Sequence, residues 1–177
     1  MTEHMKQPLN EVKLEVLGAL IEKIRREPQA ARTQWKTEVR WTGAFRSEAR
    51  SRDLGPLPSD EPSALGGSNT APNPVEQLLG ALGNCLAVGY AANASVAGIQ
   101  IRSLRIELEG AIDMHAFLGL GGENAGYESI RVTVDLESDA SPEQLKLLHE
   151  KVVRTSPVGR TLSRGVPLRI ELAEARS

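Results

Sequence analysis

One cysteine, three histidines and six aromatic residues are all that this chain of 177 residues holds of the side chains that bridge, bind metals or stack on bases. With Cys85 alone, no disulfide forms within the chain, and a zinc ribbon lacks its ligands. His4, His115 and His149 lie far apart in sequence, so no metal is expected. Two each of Phe, Trp and Tyr leave too few rings for a base-stacking platform. Charge of one sign is missing as well. Lys and Arg total 21 against 23 Asp and Glu, which provides no field to draw nucleic acid or an anionic membrane. The longest uncharged apolar run, Leu78 to Ala92, has 15 residues and contains Asn84. A membrane span needs about 20, so this run reads as a buried helix. "MTEHMKQPLNEVKLEVLG" mixes acids and bases, unlike a secretory leader, and together with the single cysteine favours a reducing cytoplasm. "GLGGENAG", residues 119 to 126, lacks dinucleotide-loop spacing, and no cofactor is expected.

The remaining composition, 40% apolar and 25% charged, suits one globular core. Val12, Val16, Leu17, Leu20, Ile21 and Ile24 have helical spacing, which predicts an amphipathic helix over residues 11 to 26, capped by Asn10 and ended before Pro28. Trp35, Thr37, Val39 and Trp41 alternate with charged residues, and Gly43 invites a turn, so a hairpin is expected by Arg50. Five prolines and three glycines make residues 53 to 74 a loop, long enough to suggest a functional role. A helix then starts at Pro74, with Asn73 as its cap and Glu76 near its positive end. Its many small residues imply that another backbone approaches closely. Two strands follow, "IQIRSLRIELEG" with a phase slip near Ser103 and "SIRVTVDLES", joined by a glycine-rich connection. Ser141, Pro142 and Gln144 open a helix to about Arg154. "TSPVGRTLSRG" is a short turn or helix, and Val166, Leu168, Ile170 and Leu172 predict a final strand. The element order is that of an α+β fold.

Free cysteine is among the most buried residue types, so Cys85 reads first as a small apolar filler. It lies too deep in its helix to feel that helix's own dipole, and a reactive thiolate there needs a nearby cation, for which an arginine of the preceding hairpin is the natural source. Ser156, just before Pro157, reads first as a helix cap.

"DEPSALGG" (60 to 67), "PNPVEQLLGALGNC" (72 to 85) and "TSPVGRTL" (155 to 162) together resemble the OsmC/Ohr family, the osmotically induced and organic hydroperoxide resistance proteins. The likeness runs from about Trp35 to Leu172, leaving residues 1–30 as an N-terminal helical extension and 31–177 as a single OsmC-like domain. The resemblance implies curved antiparallel sheets around two central helices in an intertwined homodimer, with active sites at the subunit interface. It further implies a thiol-dependent peroxidase whose peroxidatic cysteine is Cys85, oxidised to sulfenic acid by an organic hydroperoxide. An arginine and a glutamate hold the thiolate in such enzymes, and a second cysteine resolves the sulfenic acid.

The chain departs from that pattern in ways that shape the expected chemistry. Ser156 occupies the resolving-cysteine position, which implies a one-cysteine cycle with an external thiol reductant. Aligned without gaps, the glutamate falls on Val75, while Glu76 points about 100° away around the helix. Arg46 is the expected guanidinium, with Arg50 as its rival, and Leu82, Leu86 and Glu76 are expected along the substrate cleft. The alternative is a non-catalytic OsmC-like dimer that binds a small apolar or thiol-containing ligand at the subunit interface.

Overall fold

The computed structural model describes residues 8–173. In chain order these contain α1 (Leu14–Arg26), β1 (Glu38–Gly43), β2 (Arg46–Arg50), β3 (Leu57–Ser59), α2 (Pro74–Val96), β4 (Ile101–Ile112), α3 (Met114–Phe117), β5 (Tyr127–Ser138), α4 (Pro142–Thr155) and α5 (Pro157–Arg164). Two antiparallel sheets form, β1-β2-β3 and β4-β5, and with the helices they make the expected α+β architecture.

Local preferences agree where α2 begins. The Asn73 side chain accepts from the Glu76 N–H, the Glu76 carboxylate accepts from the Asn73 N–H, and Pro74 fills the first turn. Leu82, Leu86, Tyr90 and Ala94, four apart, form one buried stripe. β4 and β5 pair Leu104 with Leu136, Ile106 with Val134 and Leu108 with Val132, which places these side chains on one face of the hairpin. Leu148 and Val152 of α4 complete the core between that face and α2. The phase slip in β4 is a bulge between Ile101 and Ser103. α4 starts with the expected capping box of Ser141 and Gln144. At the edge of this core the Tyr90 hydroxyl lies 2.5 Å from His149 Nδ1, and burial pushes the tyrosine above its ordinary pKa.

Two expectations are corrected. Asn10 does not cap α1, which begins at Leu14 without a side-chain cap; the Asn10 amide turns away to the end of α2. Residues 166–172 do not form a strand, because among the described residues no strand pairs with them. Their alternating apolar side chains stay open, with Leu168 81% and Ile170 86% exposed. The hairpin forms as expected but starts at Glu38 rather than Trp35, and Trp41 is 75% exposed. Among the described residues, large apolar side chains stand open on several elements, among them Val39, Val88 and Leu147.

Candidate functional site: Cys85 and the start of the last helix

"DEPSALGG" folds into a scaffold in front of α2. Asp60, almost wholly buried, accepts at Oδ2 from the Ser68 N–H, the Thr70 N–H and the Thr70 hydroxyl, and at Oδ1 from the Glu61 N–H. Burial acts to raise its carboxyl, yet these four bonds outweigh burial and hold it below the usual value. A Cβ on Gly67 would stand 1.9 Å from the Glu61 carbonyl oxygen, so only glycine fits there. Glu61 in turn accepts from the Asn73 side chain at 3.3 Å, tying the loop to the cap of α2. The motif is thus a structural brace for α2.

Cys85 is half-buried, about three turns into α2. Its Sγ lies 3.2 Å from Ser156 Oγ. Ser156 is 4% exposed and caps α5 as expected, its Oγ accepting from the Gly159 N–H at 3.2 Å. A hydroxyl has one proton and two lone pairs; with one lone pair committed to Gly159, the proton is free to point at the sulfur. Ser156 therefore donates to a Cys85 thiolate, or accepts from the thiol through its other lone pair. The positive end of α5 faces the same sulfur. The start of α2 itself is about 16 Å up its axis from Cys85 and gives no such help.

Beside this pair lies a cavity of about 430 Å³ whose apolar wall includes Leu78, Leu82, Ile130, Val132 and Leu162. Gly159 joins pair and cavity: a Cβ there would come 3.1 Å from Ser156 Oγ and 3.7 Å from Leu82 Cδ1. Tyr127 closes one end, donating its hydroxyl to the Val75 carbonyl at 2.9 Å. Burial first, and the Glu76 carboxylate second, push that hydroxyl above its ordinary pKa.

The structure thus brings together Cys85, Ser156 and Leu82. Leu86 belongs to the core and does not line the cavity. Glu76 lies half a turn around α2 from Cys85 and about 13 Å along it, with its carboxylate engaged in the cap. Arg46 donates to Ser68 Oγ at 3.3 Å on the bracing loop, and Arg50 pairs with Glu48 at 3.1 Å; within one chain neither is bonded to Cys85. The positive end of α5 at the sulfur is the feature that sequence reasoning missed; "SPVG" signalled a cap and the resemblance implied that Ser156 lies near Cys85, but nothing joined the two. Among the described residues no group of three or more His, Cys, Asp and Glu is placed to hold a metal, and no helix is long and apolar enough to cross a membrane. His4 lies outside the described residues.

The family model described as "OsmC-like protein" matches residues 67–171, more than half of the chain. Among solved structures, the OsmC-like protein of Mycoplasma pneumoniae superposes with a TM-score of 0.65 at 19% identity, covering 75% of this chain and 89% of its own. An organic hydroperoxide resistance protein from Elizabethkingia anophelis gives 0.55 at 19% identity, covering 76% and 91%. An organic hydroperoxide resistance protein OsmC from Legionella pneumophila gives 0.52 at 18%, covering 76% and 93%. At these identities the likeness establishes the fold alone. No curated protein matches the chain at a significant level. The family model and the shared fold agree on one conclusion: the chain belongs to the OsmC/Ohr family.

Proposed function

We propose that this chain is a one-cysteine thiol peroxidase for organic hydroperoxides, acting as a homodimer in a reducing cytoplasm. The observation that carries the reading is the Cys85–Ser156 pair beside an apolar cavity. Ser156 donates to the thiolate and so orients it, and the apolar wall accepts the hydrocarbon part of the substrate. The thiolate attacks the outer peroxide oxygen. The O–O bond breaks, the sulfur is oxidised to sulfenic acid, and the peroxide leaves as an alcohol after taking up one proton. An external thiol condenses with the sulfenic acid, releasing water and leaving a mixed disulfide. A second thiol restores Cys85 and departs as a disulfide of the two reductant molecules.

In this reading Arg46 reaches Cys85 from the second copy. The sheet β1-β2-β3 leaves Val39 and Trp41 uncovered, and Val88 of α2 is open as well, apolar surface that a second subunit would cover.

Trapping with dimedone, followed by mass spectrometry, tests this reading. Cumene and tert-butyl hydroperoxide give a Cys85 adduct faster than hydrogen peroxide does, because only they fill the apolar wall. No adduct at Cys85 with any of the three contradicts it. The second reading, a binder of small apolar or thiol-containing ligands with Cys85 protonated, draws on the absence of a bonded guanidinium at Cys85 among the described residues of one chain. Slow alkylation by iodoacetamide at neutral pH, together with no dimedone adduct, selects it.

A further inference from the structure

α1 is amphipathic and yet nearly unpartnered. At 100° per residue Val16, Leu17, Leu20, Ile21 and Ile24 fall on one side, and Glu15, Glu22, Arg25 and Arg26 on the other, with Lys23 at the boundary. Val16 is 61%, Leu20 49% and Ile21 42% exposed, and the helix leans chiefly on the Pro28–Ala31 turn just beyond it. Its root is fixed. Asn10 Nδ2 donates to Ser95 Oγ at 3.0 Å and to the Ile99 carbonyl at 2.9 Å, while Oδ1 accepts from the Ile101 N–H at 2.8 Å and from Gln100 Nε2 at 3.2 Å. Both amide protons and both acceptor sites are in use. Asn10 has φ 51°, a left-handed conformation that asparagine tolerates better than most residues.

We propose that α1 is a clasp, anchored by Asn10 on its own chain, whose apolar face closes on a second copy. The inference rests on the homodimer reading above and adds the residues that close the dimer. Surface continuity supports it. The anchored segment overhangs a cavity of about 860 Å³ against Ala87, Ala91 and Leu104, and α2 carries no charged side chain from Gln77 to its end, with Val88 70% exposed. The open apolar surface therefore extends from α2 towards the arm. Charge argues against a bilayer as the occupant. Glu15 and Glu22 interrupt the polar side of α1 among Lys23, Arg25 and Arg26, whereas a helix lying on an anionic membrane keeps that side free of acids. In a two-fold dimer each substitution on the arm acts twice.

The test uses the full chain. Sedimentation equilibrium gives the dimer dissociation constant of the parent, of Leu20→Glu/Ile21→Glu and of Arg25→Ala on the polar side. In parallel, a photo-reactive benzoylphenylalanine at position 20 is irradiated in an equilibrated mixture of light and nitrogen-15 chains. The clasp predicts a dissociation constant raised at least tenfold by the double substitution, unchanged by Arg25→Ala, and cross-links that join light to heavy peptides. A parent that is monomeric at all concentrations sinks the dimer and the clasp together. A dimeric parent with an unmoved dissociation constant, or cross-links only between peptides of one isotope, overturns the clasp and leaves the dimer standing. Co-sedimentation with vesicles of anionic phospholipid that is lost on Leu20→Glu/Ile21→Glu also overturns it.

Discussion

Ser156 Oγ and Cys85 Sγ lie 3.2 Å apart although 71 residues separate them in the chain. In the proposed cycle Ser156 thus touches the thiol where a resolving sulfur would be needed, with an oxygen in its place. Ser156→Cys puts a second sulfur within reach of the first. After one equivalent of cumene hydroperoxide, the intact mass of that variant falls by about 2 Da as the sulfenic acid and the new thiol condense to a disulfide with loss of water. Ser156→Ala loses the donor and the cap together: peroxide consumption slows about 10- to 100-fold, the worth of one hydrogen bond to a charged group, and stability drops by about 1 kcal/mol. A Ser156→Ala variant as fast as the parent removes the serine from the account.

Gly67 is the position where the bracing loop tolerates least. Gly67→Ala forces Cβ against the Glu61 carbonyl and costs about 3 kcal/mol or more, the upper range of overpacking. Gly55 has open space around it, and Gly55→Ala stays within about 0.5 kcal/mol. Urea denaturation of both variants checks the difference.

Asp60 makes the same loop sensitive to acid. Its folded pKa lies below the unfolded value, so its contribution is fully present above about pH 4 and is lost as the pH falls through the lower folded value. Asp60→Asn is less stable than the parent at pH 7, and the gap in Tm narrows by pH 3. A gap that stays constant or widens on acidification contradicts the assignment.

Tyr90 and His149 predict an asymmetry. Removing the hydroxyl in Tyr90→Phe leaves a surface imidazole that water can satisfy, at about 0.5–1.5 kcal/mol. His149→Ala strands a buried hydroxyl, at about 1–3 kcal/mol. Equal losses in chemical denaturation would show that water reaches Tyr90.

Elements whose cause is local were legible in the sequence. Asn73 with Glu76, and Ser141 with Gln144, announce their helices because a capping box lies within four residues. The period of two in β5 announces its strand in the same way. Asn10 looked like a cap for the same local reason and failed, because its real partners at Ser95, Ile99 and Ile101 are about ninety residues away. Residues 166–172 have a strand's alternation, but no neighbouring strand among the described residues supplies the ladder. At the site, Cys85 and Ser156 were each visible by type. Their contact was not legible from spacing or periodicity, since it depends on how α4 and α5 pack against α2; only the resemblance, with Ser156 at the resolving position, implied it.

The central claim is that Cys85 turns over organic hydroperoxides, and stopped-flow consumption of cumene hydroperoxide under excess dithiol tests it most directly. The parent chain is expected to give multiple turnovers and Cys85→Ser only the background rate. Consumption by Cys85→Ser as fast as by the parent would contradict it.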